Sequence, residues 1–281
     1  MDTDVCQTLL PLRNVISNSD DGIIYQFTTD EDYKSYCTDG NCVDDTDKIN
    51  ARCLYIFNTF FKDKSVFETA AKGNIYIVQY ILIWLSYILS LIKSNGSDNR
   101  TIFYNKYINE DDNYNNNINY IVGYKSYKDL IDRNKYILSM DMSIISKLYD
   151  AFNTLCGIYN DLDTSNSNCM QHSEKARQFV EIYKKIIIDH NIGENIRYFY
   201  VLINLLTDYD NLKKKCENLP STPDITKIIS EATSSSIASK LIPILSILVA
   251  IPILLGIVYK YSLFGFRKRF QKQHLREKLK K

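Results

Sequence analysis

Residues 75–92 read IYIVQYILIWLSYILSLI, a stretch of 18 residues without a charged side chain. Such a stretch is typical either of a membrane-spanning helix or of a helix buried in a protein core. Polar and bulky aromatic side chains interrupt it: Gln79, Ser86, Ser90, Tyr76, Tyr80, Trp84 and Tyr87. We therefore predict that it forms the central buried helix of a domain, with a second membrane span at 75–92 as the alternative.

Four further stretches carry apolar residues at steps of three and four, which is the period of an amphipathic helix. They are residues 47–62, 143–162, 173–188 and 195–216. No run of alternating apolar and polar residues stands out, and no Asn-Gly hairpin turn stands out either, so no strand is predicted. The predicted fold class is all-α, with a helical, disulfide-bearing domain over residues 1–219.

Two polar stretches lie between these helices. Residues 109–119, NEDDNYNNNIN, are of low complexity, and we expect a mobile loop there. In the other, residues 93–100, Asn95-Gly-Ser97 and Asn99-Arg-Thr101 match the N-glycosylation acceptor pattern. Chance matches are frequent in an asparagine-rich chain, so these indicate exposure only weakly.

Seven cysteines are spread along the predicted domain: Cys6, Cys37, Cys42, Cys53, Cys156, Cys169 and Cys216. Their number favours an oxidising compartment and disulfide bonds. Because seven is odd, at least one thiol is unpaired or intermolecular. Spacing alone leaves the pairing open, and buried free cysteines in a reduced protein are the alternative.

Residues 241–259 read LIPILSILVAIPILLGIVY and carry no charge. At 1.5 Å per residue they span about 28 Å, close to the hydrocarbon thickness of roughly 30 Å. Thirteen of the 19 are Leu, Ile or Val, so insertion into a bilayer is favourable by roughly 4 to 8 kcal/mol. We predict a transmembrane helix over 241–264. The anchor residues are Leu241, Pro243, Pro252 and Tyr259.

The charge distribution predicts the orientation of this helix. Residues 260–281 hold nine basic residues and one acid, a net charge of +8, whereas the rest of the chain carries −7. Basic residues directly after an apolar segment mark the cytoplasmic side, so we expect an exofacial N-terminus and a basic cytoplasmic tail over 265–281. The stop-transfer residues are Lys260, Arg267, Lys268 and Arg269.

The flanking segments complete the domain organisation. Residues 220–240 contain two prolines and many Ser and Thr, which is typical of a stalk. Residues 1–20 lack the apolar core of a signal peptide, so export must use another signal. The acidic body argues against nucleic-acid binding. The lipid bilayer is the partner that the sequence itself predicts.

No pattern typical of a zinc protease, a serine hydrolase or a nucleotide-binding loop occurs. A zinc site formed by Cys169-x-x-His172 together with Cys37 and Cys42 is one alternative, because these are zinc-ligand types. Nothing in the spacing brings the two pairs together, and disulfide use of Cys37 and Cys42 is favoured. We predict no enzyme activity, no catalytic residue, no metal and no cofactor.

Several segments together resemble the Plasmodium interspersed repeat (PIR) superfamily, especially its rodent-malaria members. They are Tyr36-Cys37, Cys42, NARCLY at 50–55, WLSY at 84–87, LYDAF at 148–152, Asn168-Cys169, Phe179-Val180, KKKC at 213–216 and the stretch from Ser234 to Lys281. The resemblance covers nearly the whole chain. There is one departure, because the family often has a second cysteine shortly after the Asn-Cys pair, where this chain has His172.

This resemblance implies a variant protein of a malaria-parasite multigene family. It implies a helical ectodomain, a single C-terminal transmembrane helix and a short cytoplasmic tail. It also implies a place at the infected erythrocyte surface or in parasite or vacuolar membranes. The expected role is antigenic variation with host-cell or immune interaction, and the expected partner is a host protein or cell-surface receptor. The alternative function is a two-span component of a transport complex, using 75–92 as the second span.

Overall fold

The central element of the fold is α5 (Ile77–Leu91), in which 12 of 15 residues are buried. It is seen in a computed structural model, which describes residues 1, 3–9, 16–19, 22–25, 31–37, 40–92, 98–164, 169–189, 196–216 and 218–222. The prediction that 75–92 forms a buried core helix is confirmed. Its polar residues serve the core, since Gln79 accepts a hydrogen bond from Asn204 at 2.7 Å and Tyr80 donates to Asp208 at 2.5 Å.

The remaining elements are mostly helical. They are α1 (Thr3–Leu9), β1 (Ile16–Ser19), β2 (Gly22–Tyr25), α2 (Glu31–Lys34), α3 (Asp45–Phe61), α4 (Lys64–Thr69), α6 (Asn99–Phe103), a π-helical turn (Tyr104–Ile108), α7 (Tyr127–Arg133), α8 (Met142–Thr164), α9 (Ser173–Asp189), α10 (Ile196–Lys215) and 3₁₀ turns at Asp112–Asn115, Lys135–Ser139 and Cys169–His172. The helical prediction is confirmed at all four amphipathic stretches.

The 23-residue helix α8 packs against α1, α5, α9 and α10. Aromatic pairs fill the contact with α5: Tyr80 stacks on Phe152 at 4.9 Å between centroids, and Tyr87 stacks on Tyr149 at 4.0 Å. Large aromatic rings bury much apolar surface and prefer offset stacking. The core therefore lies where α5 and α8 meet.

Helix α3 begins with a reciprocal cap. The Asp44 carboxylate accepts from the Asp47 amide at 2.8 Å, and the Asp47 carboxylate accepts from the Asp44 amide at 3.3 Å. Both contacts satisfy amide groups that have no partner within the helix. Ten of the 17 residues of the helix are buried, and the helix packs against α5.

Four tyrosines of the segment 98–140 attach it to α3. Tyr107 donates to the Asp47 carboxylate at 2.5 Å, and Tyr114 donates to the Asn50 side-chain oxygen at 2.8 Å. Further along the same helix, Tyr127 donates to Asn58 at 2.8 Å and Tyr120 to the Phe61 carbonyl at 2.5 Å. We refer to these four hydroxyls as the tyrosine row.

The predicted mobile loop at 109–119 is therefore wrong. Tyr114 and Ile118 within it are completely buried, and a 3₁₀ turn spans Asp112–Asn115. Two apolar residues four positions apart, Tyr114 and Ile118, lie within this asparagine-rich stretch. Burial of those anchors, together with the tyrosine row, orders the segment.

The prediction that no strand occurs is also wrong at one place. Ile16–Ser19 pairs antiparallel with Gly22–Tyr25, and Ser19 lies opposite Gly22. Each strand has four residues, and the first, ISNS, does not alternate apolar with polar residues. A strand this short carries too little pattern to be recognised in sequence.

Met1–Pro223 forms one compact unit. Within the described residues no helix is both long and apolar enough to cross a bilayer. The predicted transmembrane helix at 241–264, the stalk from residue 223 onward and the tail lie outside the described residues.

Candidate functional site

Three disulfide bonds connect distant or irregular parts of the described chain. Cys6 on α1 pairs with Cys156 on α8, Cys37 pairs with Cys42 between α2 and α3, and Cys169 before α9 pairs with Cys216 after α10. The Cα–Cα distances of 5.1, 5.0 and 5.6 Å are normal for disulfides. The expectation of disulfide bonds is confirmed, and Cys169 is paired even though His172 replaces the neighbouring cysteine of the family.

The unpaired thiol belongs to Cys53, which is buried in α3. Burial raises its pKa to about 12. The thiol is therefore protonated at neutral pH, and a buried protonated thiol is unreactive. Cys53 serves as a core side chain.

The zinc alternative is wrong for the residues on which it rested. Cys37 and Cys42 are bonded to each other, and Cys169 is bonded to Cys216, so none of these thiolates is available to a metal. In the part of the chain that the structure describes, no group of three or more His, Cys, Asp or Glu is placed to hold a metal ion.

The bond between Cys6 and Cys156 also bears on the two-span alternative. A membrane span at 75–92 would place these two cysteines on opposite sides of a bilayer. A disulfide at 2.10 Å between the sulfurs joins them on one side. Together with the burial of α5, this bond argues against the alternative.

The predicted anchor and stop-transfer residues lie outside the described residues. They are Leu241, Pro243, Pro252, Tyr259, Lys260, Arg267, Lys268 and Arg269. Their roles stay predictions.

An open groove of about 810 Å³ lies on the domain surface and was not predicted. It is formed by the start of α5, α6 and the π-turn, the segment from Asp132 to Ser139, and the start of α10. Tyr76 and Tyr200 line it with side chains that are 47% and 46% exposed. Near both tyrosines α5 and α10 are in contact, because Asn204, one turn after Tyr200, donates to Gln79, one turn after Tyr76.

The charged residues around this groove are paired within the domain. Arg100 donates to Asp98 at 3.0 Å and to the Met140 carbonyl at 2.7 Å. Burial alone raises the pKa of Asp98, but hydrogen bonds from Arg100 and Thr101 outweigh it, so the pKa of Asp98 lies below its usual value.

The charged residues on the other side of the groove are also paired within the domain. Asp132 accepts from the Tyr104 hydroxyl and from Lys128 at 2.9 Å. Arg133 donates to Asp129 at 3.1 Å. The Lys135 ammonium lies 3.3 Å from the centroid of the Tyr104 ring, a cation–π contact.

Sequence patterns were unable to reveal this groove, since its residues come from four separate elements. One weak signal exists: Tyr200 falls outside the apolar face of α10, which consists of residues such as Val201, Leu202 and Leu205. An aromatic residue on the polar face of an amphipathic helix is exposed by geometry.

The acceptor asparagine of one predicted glycosylation pattern has a structural task. The Asn99 amide donates to the carbonyls of Leu89 at 3.1 Å and Ile92 at 2.9 Å. It thus satisfies carbonyls at the end of α5 that have no partner within the helix. The other pattern, at Asn95, lies outside the described residues.

These features define a class: a helical domain braced by three disulfide bonds. The family model described as Plasmodium variant antigen protein Cir/Yir/Bir matches residues 6–260. The chain therefore belongs to this family of the PIR superfamily, as its sequence resemblance indicated.

A solved structure described as that of a Plasmodium PIR protein ectodomain is similar to this chain, with a TM-score of 0.62 and 29% identity. The match covers 79% of this chain and 96% of that one. No curated protein sequence matches.

Proposed function

We propose that the chain is a variant surface or exported protein of a malaria parasite that acts in antigenic variation and in host-cell or immune interaction. Residues 241–264 anchor it in a membrane as a single pass. The N-terminal domain faces outward, at the infected erythrocyte surface or on parasite or vacuolar membranes. It binds a host protein or cell-surface receptor and acts without enzymatic chemistry, cofactor or nucleic acid.

The three disulfides carry this proposal. Disulfides persist in oxidising, extracellular-type compartments and are rare in the reducing cytosol. All six bonded cysteines precede the apolar stretch 241–259, and the basic cluster follows it. This order supports a domain on the oxidising side and a tail in the cytosol.

The anchor is tested by extracting infected-cell membranes with alkaline carbonate. The full-length chain should stay in the membrane pellet. Replacing Leu248 and Ile251 by Arg should release it, because each central Arg costs roughly 2.5 to 3.5 kcal/mol against a gain of roughly 4 to 8 kcal/mol. The matched control, Leu248→Ile with Ile251→Leu, should remain in the pellet. Release of the unaltered chain would refute the anchor.

The orientation is tested separately by protease on intact infected erythrocytes and on cells whose outer membrane has been opened selectively. An antibody against residues 265–281 follows the tail. In one of the two preparations the protease should digest the N-terminal domain, while a small fragment that contains the tail stays intact. A protected domain with a digested tail would reverse the topology.

A further inference from the structure

The groove beside α5 and α10 combines exposed aromatic rings with several polar side chains. Its volume of about 810 Å³ lies within the roughly 300–1,000 Å³ that is usual for small-ligand sites. Tyr76 and Tyr200 both line it and expose about half of their surfaces. Exposed rings in a concave site offer flat apolar faces to a ligand.

The polar groups of the groove both donate and accept hydrogen bonds. Asn105 and Asn134 contribute amides, and Thr101 and Ser139 contribute hydroxyls. Asn105 is exposed. An amide presents two donors and an acceptor, and a hydroxyl presents a donor and two acceptor lone pairs. The Thr101 and Ser139 hydroxyls and the Asn134 amide already donate within the domain, to Asp98, the Tyr136 carbonyl and the Leu130 carbonyl. Their oxygens can still accept hydrogen bonds, which suits a ligand that carries hydroxyl donors.

The pairing of charges selects against an ionic ligand. Asp98 is paired with Arg100, Asp132 with Lys128 and Arg133 with Asp129. A ligand phosphate, sulfate or carboxylate would have to compete with these carboxylates for Arg100 and Arg133, and to draw Lys135 away from the Tyr104 ring. A neutral ligand leaves all of these pairs intact.

A peptide is a poorer fit than a polyhydroxyl ligand. Protein interfaces concentrate their binding energy in apolar or aromatic anchors that fill desolvated pockets. Leu138 is the one aliphatic side chain among the described residues that line the groove, and it is itself buried. The groove is open, and the apolar surface that it offers belongs mainly to tyrosine rings.

We propose that this groove binds a neutral oligosaccharide. The apolar C–H faces of sugar rings pack on Tyr76 and Tyr200, and the ring hydroxyls bond to the amides and hydroxyls around Asn105. This site deepens the proposed function and rests on it, because a sugar-binding domain that faces the host meets the glycans of host cells.

The test uses residues 1–223, which form one compact unit with its own core. This protein is applied to an array of neutral, sialylated and sulfated oligosaccharides. Binding should be confined to neutral glycans or be unchanged by added acidic groups. Binding to no glycan, or to acidic glycans alone, would overturn the proposal.

Variants then locate the site. Tyr76→Ala and Tyr200→Ala should each weaken binding of the captured glycan at least tenfold, whereas Tyr76→Phe and Tyr200→Phe should keep most of it, because the ring faces remain. Ile188→Ala is the matched control, since Ile188 is 48% exposed and lies outside the groove. Unchanged binding by both alanine variants, with helical circular dichroism preserved, would place the sugar elsewhere and refute the groove.

These outcomes are independent of membrane topology. If the isolated domain binds a glycan but the protease pattern is reversed, the proposed surface role is refuted and the proposed sugar site is supported. If the protease pattern is as expected but no glycan binds, only the proposed sugar site is refuted.

Discussion

The domain holds its outer helices and its middle segment by different means. Helices α1, α9 and α10 carry or adjoin cysteines that bond across sequence separations of 150 and 47 residues. The middle segment, residues 98–140, contains no cysteine, and hydroxyls of the tyrosine row attach it to α3. A short helix such as α1 buries few side chains and gains most from a covalent tie, whereas the longer middle segment spreads its attachment over many weaker contacts.

The largest loss of stability is expected when the bond between α1 and α8 is removed. The double substitution Cys6→Ala and Cys156→Ala removes it. In the chain-entropy account a closed loop of this length contributes about 5 kcal/mol to the free energy of unfolding. Guanidinium unfolding of residues 1–223 should show a loss of that order. Cys53→Ala controls for the loss of a buried sulfur. A loss near that of the control would mean that packing alone holds α1.

The second bond of the outer helices should rank next. Removing Cys169 and Cys216 opens a loop of 47 residues, for which the same account gives about 4 kcal/mol. Removing Cys37 and Cys42 opens a loop of only five residues and should cost about 2 kcal/mol. Denaturant unfolding of the three double variants gives the ranking, and an inverted order would show that strain or packing outweighs chain entropy.

Sequence periodicity was sufficient for α3, α5, α8, α9 and α10, but not for the short helix α1, which no predicted stretch covers. The predicted stretch 143–162 compares with Met142–Thr164, and 173–188 with Ser173–Asp189. Local spacing of apolar residues determines where such helices lie. The cysteine pairs were left open because pairing depends on tertiary distances that spacing does not contain.

The sequence did not predict that the middle segment is ordered, because its contacts also depend on tertiary distances. Tyr114 and its acceptor Asn50 lie 64 residues apart in sequence, and Tyr127 and Asn58 lie 69 apart. A tyrosine beside an asparagine run has the same local pattern whether or not such a partner exists. The groove is likewise assembled from side chains on separate elements.

A single hydroxyl of the tyrosine row should have a smaller effect than either of the two long-range disulfides. Tyr114→Phe removes the donor to Asn50 and leaves a buried oxygen unsatisfied, which costs about 1 to 3 kcal/mol. Asn115→Ala, at the exposed neighbouring position, should change the free energy of unfolding by no more than about 0.5 kcal/mol. Denaturant unfolding measures both. A larger loss for the asparagine variant would mean that the asparagines, and not the tyrosines, hold this segment.

The smallest effect is expected only in alkali, at Tyr120. Burial, with a contribution from the nearby Asp63 carboxylate, raises the pKa of Tyr120 to about 12. An unfolded tyrosine has a pKa of about 10. Between about pH 10 and pH 12 the unfolded chain has released this proton and the folded chain still holds it, so the free energy of unfolding falls with rising pH; below about pH 10 it is unaffected.

Tyr120→Phe should therefore make the alkaline decline in stability shallower, and the tyrosinate absorbance of the folded protein should lose a component that titrates near pH 12. Asn119→Ala, exposed and without a titrating group, should keep the full decline. Hydroxyls that donate to acceptors on α3 must keep their protons to do so, whereas disulfides do not titrate. An equally steep decline in Tyr120→Phe would show that this hydroxyl contributes nothing to the pH dependence, and the contrast between the two kinds of attachment would then rest on the remaining three tyrosines.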